Sequence, residues 1–163
     1  MRTDTLYGIV ARADDKQAVE RVYGVRHRES KKASIVLIAN DRQIWNQSAV
    51  QVNKAVLDQF WPGPVSIILP AGSESPSHIY RGENSIAFRI PADEELRDLL
   101  SATGPLIAPS ANIEGEPPAK TIEEAYEYFG DYVEFYVDSG VCENTAPSKI
   151  IKIQEDGELL QLR

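Results

Sequence analysis

Residues 34–39, Ser-Ile-Val-Leu-Ile-Ala, form a short apolar run rich in branched side chains, with no alternating polar positions. Such a run is the mark of a strand buried on both faces. The sheet that holds it needs helices to cover it. The flanking sequence supplies them. Residues 15–25 place Ala18, Val19, Val22 and Val25 at helical spacing. Val52, Val56 and Phe60 mark one face of a second helix, stopped by Trp61-Pro62-Gly63-Pro64. Leu96, Leu99 and Leu100 predict a third helix, closed near Gly104-Pro105. Thr121 and Glu124 form a capping-box pattern ahead of a fourth helix that runs to about Phe129. Further strands are predicted over 65–69, 85–90, 106–108, 135–137 and 150–153. Asp156-Gly157 is expected to turn the chain into a last strand over 158–162. The expected architecture is α/β, with an open mixed sheet: crossovers come early and an antiparallel hairpin late.

A chain of 163 residues argues for one domain spanning 1–163. At this size it buries roughly 70% of its unfolded surface, enough for one core. No apolar run approaches the ~20 residues of a membrane helix. The opening Met1-Arg2-Thr3-Asp4 carries no apolar signal region. Cys142 is the single cysteine, so no disulfide can form within the chain and a reducing, cytoplasmic setting is expected. Acidic residues outnumber basic ones 25 to 17, a formal charge of −8, which weighs against nonspecific nucleic-acid binding over the whole surface. A local basic pocket stays compatible with that sum.

Five segments carry candidate chemistry. Thr3-Asp4-Thr5-Leu6-Tyr7-Gly8 crowds hydroxyls, a carboxylate and a phenol into six residues. It serves either as a polar ligand loop or as a capped turn. Arg26-His27-Arg28, with Lys31 and Lys32 after it, suits either a helix dipole or a polyphosphate. Arg89 lies within an apolar strand, where a guanidinium is costly unless paired. Alternation puts Ile86, Phe88 and Ile90 on one face and Ala87 and Arg89 on the other, so Arg89 meets a structural carboxylate or a ligand's. Ser110 and Asn112 follow a short strand, where open α/β sheets place ligands, and their spacing lets both point one way. The Gly/Thr/Ser/Pro loop from Gly140 to Ser148, with Lys149, can offer amides and hydroxyls to phosphate or simply connect two strands.

Other chemistries fit poorly. The sequence has no Gly-x-x-x-x-Gly-Lys-Ser/Thr loop, no Gly-x-Gly-x-x-Gly fingerprint and no Gly-x-Ser-x-Gly elbow. Two isolated histidines and one cysteine make no standard zinc site. Cys142 beside Glu143 lacks the electropositive setting of a reactive thiol.

The order of these segments is more specific than any one of them. The Thr-Asp-Thr loop, the basic pair, Phe60-Trp61-Pro62-Gly63-Pro64, Phe88-Arg89-Ile90-Pro91 and Pro109-Ser110-Ala111-Asn112 together closely resemble the YrdC/TsaC family of threonylcarbamoyl-AMP synthases. The closing stretch from Pro147-Ser148-Lys149-Ile150 to Arg163 resembles that family's C-terminal end, so the likeness spans essentially the whole chain.

The resemblance implies a twisted open sheet around a concave ligand cavity. It implies ATP-dependent synthesis of threonylcarbamoyl-AMP from L-threonine and bicarbonate, with pyrophosphate released, for tRNA modification. Mg²⁺ is expected to arrive with ATP, with no tightly bound cofactor. Proteins of tRNA modification are the expected partners, and direct RNA contact stays open. By position, Arg26 and Arg28 match the family's catalytic basic pair, with Arg26 standing where lysine is usual. Arg26, Arg28, Ser110, Asn112, Ser148 and Arg163 match nucleotide positions, and Thr3, Thr5 and Arg89 match threonine positions. The family pattern carries a helix and a strand before the Thr-Asp-Thr loop, at which this sequence opens. Without that strand, sheet hydrogen bonds are expected to go unpaired and part of the pocket to lack support. The same likeness admits a double-stranded-RNA or ribosome-maturation module, a relative without synthase chemistry, and a carbamoyl-adenylating domain as in HypF proteins.

Overall fold

The run at 34–39 does sit at the centre of the molecule. In this computed structural model, which describes residues 1–29, 31–44, 52–143, 146–153 and 158–163, Ile35–Leu37 forms an inner strand, β2. The other strands are β1 (Ala11–Arg12), β3 (Val65–Pro70), β4 (Ser85–Arg89), β5 (Leu106–Ile107), β6 (Lys149–Ile153) and β7 (Leu159–Gln161). They make one seven-stranded sheet in the order β1-β5-β2-β4-β3-β6-β7. β2 runs parallel to β4, and β3 parallel to β6; the other four pairings are antiparallel. The late hairpin is present as β6 and β7, whereas the Asp156-Gly157 turn lies outside the described residues.

Alternation along the inner strands divides the interior in two. Val36, Phe88, Ile67, Ile107 and Ile151 belong to the larger cluster, with Val19, Val22 and Tyr23 of α1 (Lys16–Val25) and Ala125 and Phe129 of α5 (Ile122–Phe129). Leu57 of α2 (Lys54–Leu57) and Ile79 of α3 (Ser77–Tyr80) join the same cluster. Leu37 and Leu106 turn the other way and pack with Leu96 and Leu100 of α4 (Glu94–Thr103). In β4 the residue after Phe88 must point to that second face, and this is Arg89. Phe88 pairs in register with both Val36 and Ile67, which fixes the register of the strand that carries Arg89.

The helices start where the sequence supplies caps. Asp15 accepts from the amides of Gln17 and Ala18, and Asp93 from that of Leu96. Each such cap stabilises by about 1 kcal/mol. Thr121 accepts from the Glu124 amide, but the Glu124 carboxylate reaches back to the amide of Lys120 and not to that of Thr121, so the capping box is displaced by one residue.

One expectation changes. Residues 135–137 stand outside the sheet, with no strand neighbour among the described residues, and Phe135 is 74% and Val137 41% exposed. β1 is too short for period-two reasoning, and it ends the sheet with β5 as its neighbour. Beside it lies an apolar cavity of about 570 Å³, between β1, α1, α5 and the segment around Phe135. None of the nine residues singled out by the sequence lines it.

Candidate functional site

The site is built on the second face of the sheet, beyond the cover of α4. Its first wall is the N-terminal loop. Thr3 donates from both its amide and its hydroxyl to the carbonyl of Leu6, at 2.9 and 2.8 Å. Asp4 takes a left-handed φ of 57°, which lets the chain turn sharply between two threonines. Gly8 closes the loop against the Pro109-Ser110 segment by a bridge to Ser110. A Cβ there would lie 2.7 Å from Thr3 Cγ2 and 3.3 Å from the carbonyl oxygen of Pro109, so only glycine permits this approach. The Tyr7 hydroxyl ties the loop to the late segment, donating to the Gly140 carbonyl at 2.7 Å and accepting from the Ser139 amide at 3.0 Å.

Arg89 rises from β4 into this loop and is only 3% exposed. Its Nη2 lies 2.9 Å from Asp4 Oδ1 and donates to the Thr3 carbonyl at 2.9 Å, while Nη1 donates to Thr5 Oγ1 at 3.3 Å. Its Nε has no hydrogen-bond partner among the described residues. Thus Arg89 meets a structural carboxylate, that of Asp4, and also lines a cavity. Burial pushes the Asp4 carboxyl up, against the pull of Arg89. Burial pushes the Arg89 guanidinium down, Asp4 opposes this, and the charge of Arg163 adds to it.

The second wall comes from the basic segment and the Ser110 loop. Arg26 caps the C-terminus of α1, and His27 follows with a left-handed φ of 51°. That turn separates the two arginines. Arg26 goes inward, 2% exposed, and donates from Nε to the Asn112 carbonyl at 3.0 Å and from Nη2 to Asn112 Oδ1 at 3.1 Å. A longer contact joins Nη2 to Ser110 Oγ at 3.4 Å. Burial, and then the charge of Arg28, lower the Arg26 pKa to about 10. Arg28 goes outward over the cavity. Its Nη2 donates to the Ala33 carbonyl at 3.1 Å and its Nε to that of Lys32 at 3.3 Å.

The third wall is the C-terminal edge. Ser148 is buried and shares a hydrogen bond of 2.9 Å with Ser66 of β3. Arg163 Nε donates to the Ser148 carbonyl at 3.1 Å.

Together these walls enclose a cavity of about 190 Å³ lined by Thr3, Thr5, Arg28, Arg89, Ser110, Ser148 and Arg163. The structure therefore brings seven of the nine predicted residues onto one hollow. Arg26 and Asn112 do not line it but stand behind Ser110 as a mutual pair. The expectation that Ser110 and Asn112 point the same way does not hold. The Asn112 amide bonds back to the Ser110 carbonyl at 3.0 Å in a tight turn, so strand alternation does not apply between them. The Asn112 side-chain amide donates to the carbonyls of Ile113 and Glu116. Sequence reasoning did not single out Ser34 and Pro147, which also line the cavity, or Asp4 as the partner of Arg89.

Three guanidinium groups around one small cavity, in a chain of net charge −8, make a site for anions. The hydroxyls beside them suit a ligand with further polar groups. Among the described residues no group of three or more His, Cys, Asp or Glu could hold a metal ion, and no helix is long and apolar enough to cross a membrane.

The family model described as "Telomere recombination", Sua5/YciO/YrdC, matches residues 1–163. This chain belongs to the Sua5/YciO/YrdC family. Within the family, it is 35% identical over 155 residues to a putative threonylcarbamoyl-AMP synthase of Methanocaldococcus jannaschii, covering 94% of this chain and 73% of that protein. It is 31% identical over 156 residues to the threonylcarbamoyl-AMP synthase of Pyrococcus abyssi, covering 94% of this chain but 46% of that one. The crystal structure of P. abyssi Sua5 complexed with L-threonine superposes with a TM-score of 0.89 at 31% identity, over 99% of this chain and 48% of that one. The chain thus spans about half the length of the Pyrococcus protein. Escherichia coli YciO shares the fold, with a TM-score of 0.84 at 22% identity over 99% of this chain and 80% of that one.

Proposed function

We propose that this chain is an L-threonylcarbamoyladenylate synthase, a nucleotidyltransferase acting in the cytoplasm for tRNA modification. The observation that carries this reading is the meeting of Arg28, Arg89 and Arg163 with five hydroxyl side chains around one cavity. The names of the Methanocaldococcus and Pyrococcus relatives, and the threonine held by P. abyssi Sua5, support it.

In the proposed reaction, the threonine amine adds to the carbon of bicarbonate and water is lost, giving an N-carboxylated threonine. An oxygen of the new carboxylate attacks the α-phosphorus of ATP, the bond to the β-phosphate bridging oxygen breaks, and pyrophosphate leaves. Mg²⁺ enters with ATP as part of the substrate. No protein nucleophile is needed. The chain's task is to hold two anions together against their repulsion and to stabilise charge as it shifts to the leaving group.

Arg89, whose buried Nε has no hydrogen-bond partner among the described residues, pairs with the threonine carboxylate, with Thr3 and Thr5 beside it. Arg28 and Arg163 meet phosphate oxygens, and Ser110 and Ser148 bond the nucleotide. Arg26 acts through Asn112 and Ser110, as the pair that fixes their loop. Sites for larger ligands enclose about 300–1,000 Å³. In this reading the 190 Å³ cavity encloses only the reacting ends, while the rest of the nucleotide follows the open rim past Pro147.

The test is exchange of labelled pyrophosphate into ATP. It should require both threonine and bicarbonate, and Arg28→Ala should lower it by about 100-fold or more. Folded protein without exchange, or exchange indifferent to threonine, contradicts the proposal.

A further inference from the structure

We infer that Glu114 is a positioning residue that sets Arg28 over the cavity from the Ser110–Asn112 loop, and so tunes affinity for the nucleotide's phosphates. This rests on the reading of Arg28 as a phosphate contact.

Glu114 lies two residues beyond Asn112 and binds the basic segment at three points. Its amide donates to the Arg26 carbonyl at 2.9 Å. Its Oε2 accepts from the Glu29 amide at 2.8 Å, and its Oε1 accepts from Lys32 Nζ at 2.8 Å. These contacts bracket Arg28 on both sides in the chain. The Arg28 guanidinium in turn donates to the carbonyls of Lys32 and Ala33, so the residue that Glu114 grips is one on which Arg28 rests. Tyr23 completes the support: its hydroxyl donates to the same Lys32 carbonyl at 2.7 Å, and its ring lies 5.9 Å from the Arg28 guanidinium carbon. The chain from Glu114 to Lys32 to Arg28 is continuous, and Glu114 does not line the cavity.

The geometry also explains why a carboxylate serves here. One oxygen takes a backbone amide and the other an ammonium, so a single side chain fixes both the backbone and the charged tip of the segment. An exposed ion pair alone is worth little, but a bond to a backbone amide also fixes the conformation of the chain. Arg28 is only partly buried, so without this brace its long side chain has several rotamers open to it.

The test is calorimetric titration of the full chain with MgATP and, separately, with L-threonine, for the wild type, Glu114→Ala, Glu114→Gln, Arg28→Ala and the double variant Glu114→Ala/Arg28→Ala. Glu114→Ala should weaken ATP binding about tenfold while threonine affinity stays within about twofold. Glu114→Gln, which keeps an oxygen for the Glu29 amide, should fall between the wild type and Glu114→Ala. In the Arg28→Ala background Glu114→Ala should add nothing further, because Glu114 acts through Arg28. Unchanged ATP affinity in Glu114→Ala overturns the inference while leaving the synthase reading intact. So does an equal loss for both ligands, or an additive double variant. A wild type that binds threonine but no ATP overturns both.

Discussion

Arg26 holds Asn112 with two donors at once, Nε on its carbonyl and Nη2 on its Oδ1, at 3.0 and 3.1 Å. The pair joins the end of α1 to the loop after β5, and it stands behind Ser110, not in the cavity. Its remaining nitrogen, Nη1, has no hydrogen-bond partner among the described residues. The arginine most buried in the basic segment is therefore a brace, and Arg28, two residues on, lines the cavity.

Loss of that brace should be visible as stability. Arg26→Ala removes both donors and leaves a buried carbonyl and a buried amide oxygen unpaired, which should cost about 1–3 kcal/mol in urea unfolding. Arg26→Lys keeps the charge but offers a compact ammonium in place of the planar fork, so it should recover only part of that loss.

Asp4 and Arg89 should behave as a buried pair. Asp4→Ala leaves a guanidinium without its counter-charge and should destabilise the fold by about 3–5 kcal/mol, read from denaturant midpoints. Asp4→Asn keeps an oxygen near Ala92 and Arg89 and should be milder. Both should weaken threonine binding, because Asp4 and Thr5 meet the same guanidinium.

Most of this framework is legible in the sequence, for a local reason. β2 and β3 are dense in branched apolar residues, β4 alternates Ile86 and Phe88 with Ala87 and Arg89, and α1, α4 and α5 carry both helical spacing and capping side chains, so propensity and burial agree. Two short elements carry no such signal: β1 has two residues, and α3 has four with no side-chain cap. Phe135 and Val137 follow a strand pattern but find no sheet neighbour among the described residues, which periodicity alone does not reveal. The site is legible differently. Thr3, Arg28, Arg89, Ser110 and Ser148 are each ordinary in their own segment, and the order of the motifs is what groups them. The inward turn of Arg26, the ion pair of Asp4 with Arg89 and the grip of Glu114 on Lys32 join residues far apart in the chain, and no spacing rule reaches them.

Gly8 offers a test of the close approach between the first loop and Ser110. In Gly8→Ala the new methyl would stand 2.7 Å from Thr3 Cγ2, so Thr3 must shift. Threonine affinity should fall about tenfold or more, with a smaller change for ATP, as measured by calorimetry.

Glu114 gives a pH signature. The Lys32 ammonium, and then the Glu29 amide, hold its carboxyl below the ordinary value of 4.5. Because the folded state lowers this pKa, the contribution is fully present above 4.5 and is lost as pH falls through the folded value. The wild type should therefore exceed Glu114→Gln in urea midpoint at about pH 7, and the gap should close in acid. A gap that persists or grows below that range would show that the carboxylate charge does not matter.

The most direct measurement is titration of the full chain with MgATP and L-threonine, each with and without the other, in the wild type and in Arg28→Ala. Cationic side chains from separate segments sharing one hollow predict that the wild type binds both ligands, one of each per chain. They also predict that Arg28→Ala loses ATP affinity by about tenfold or more while threonine still binds. Failure of the folded wild type to bind either ligand, or unchanged ATP affinity in Arg28→Ala, would contradict the account.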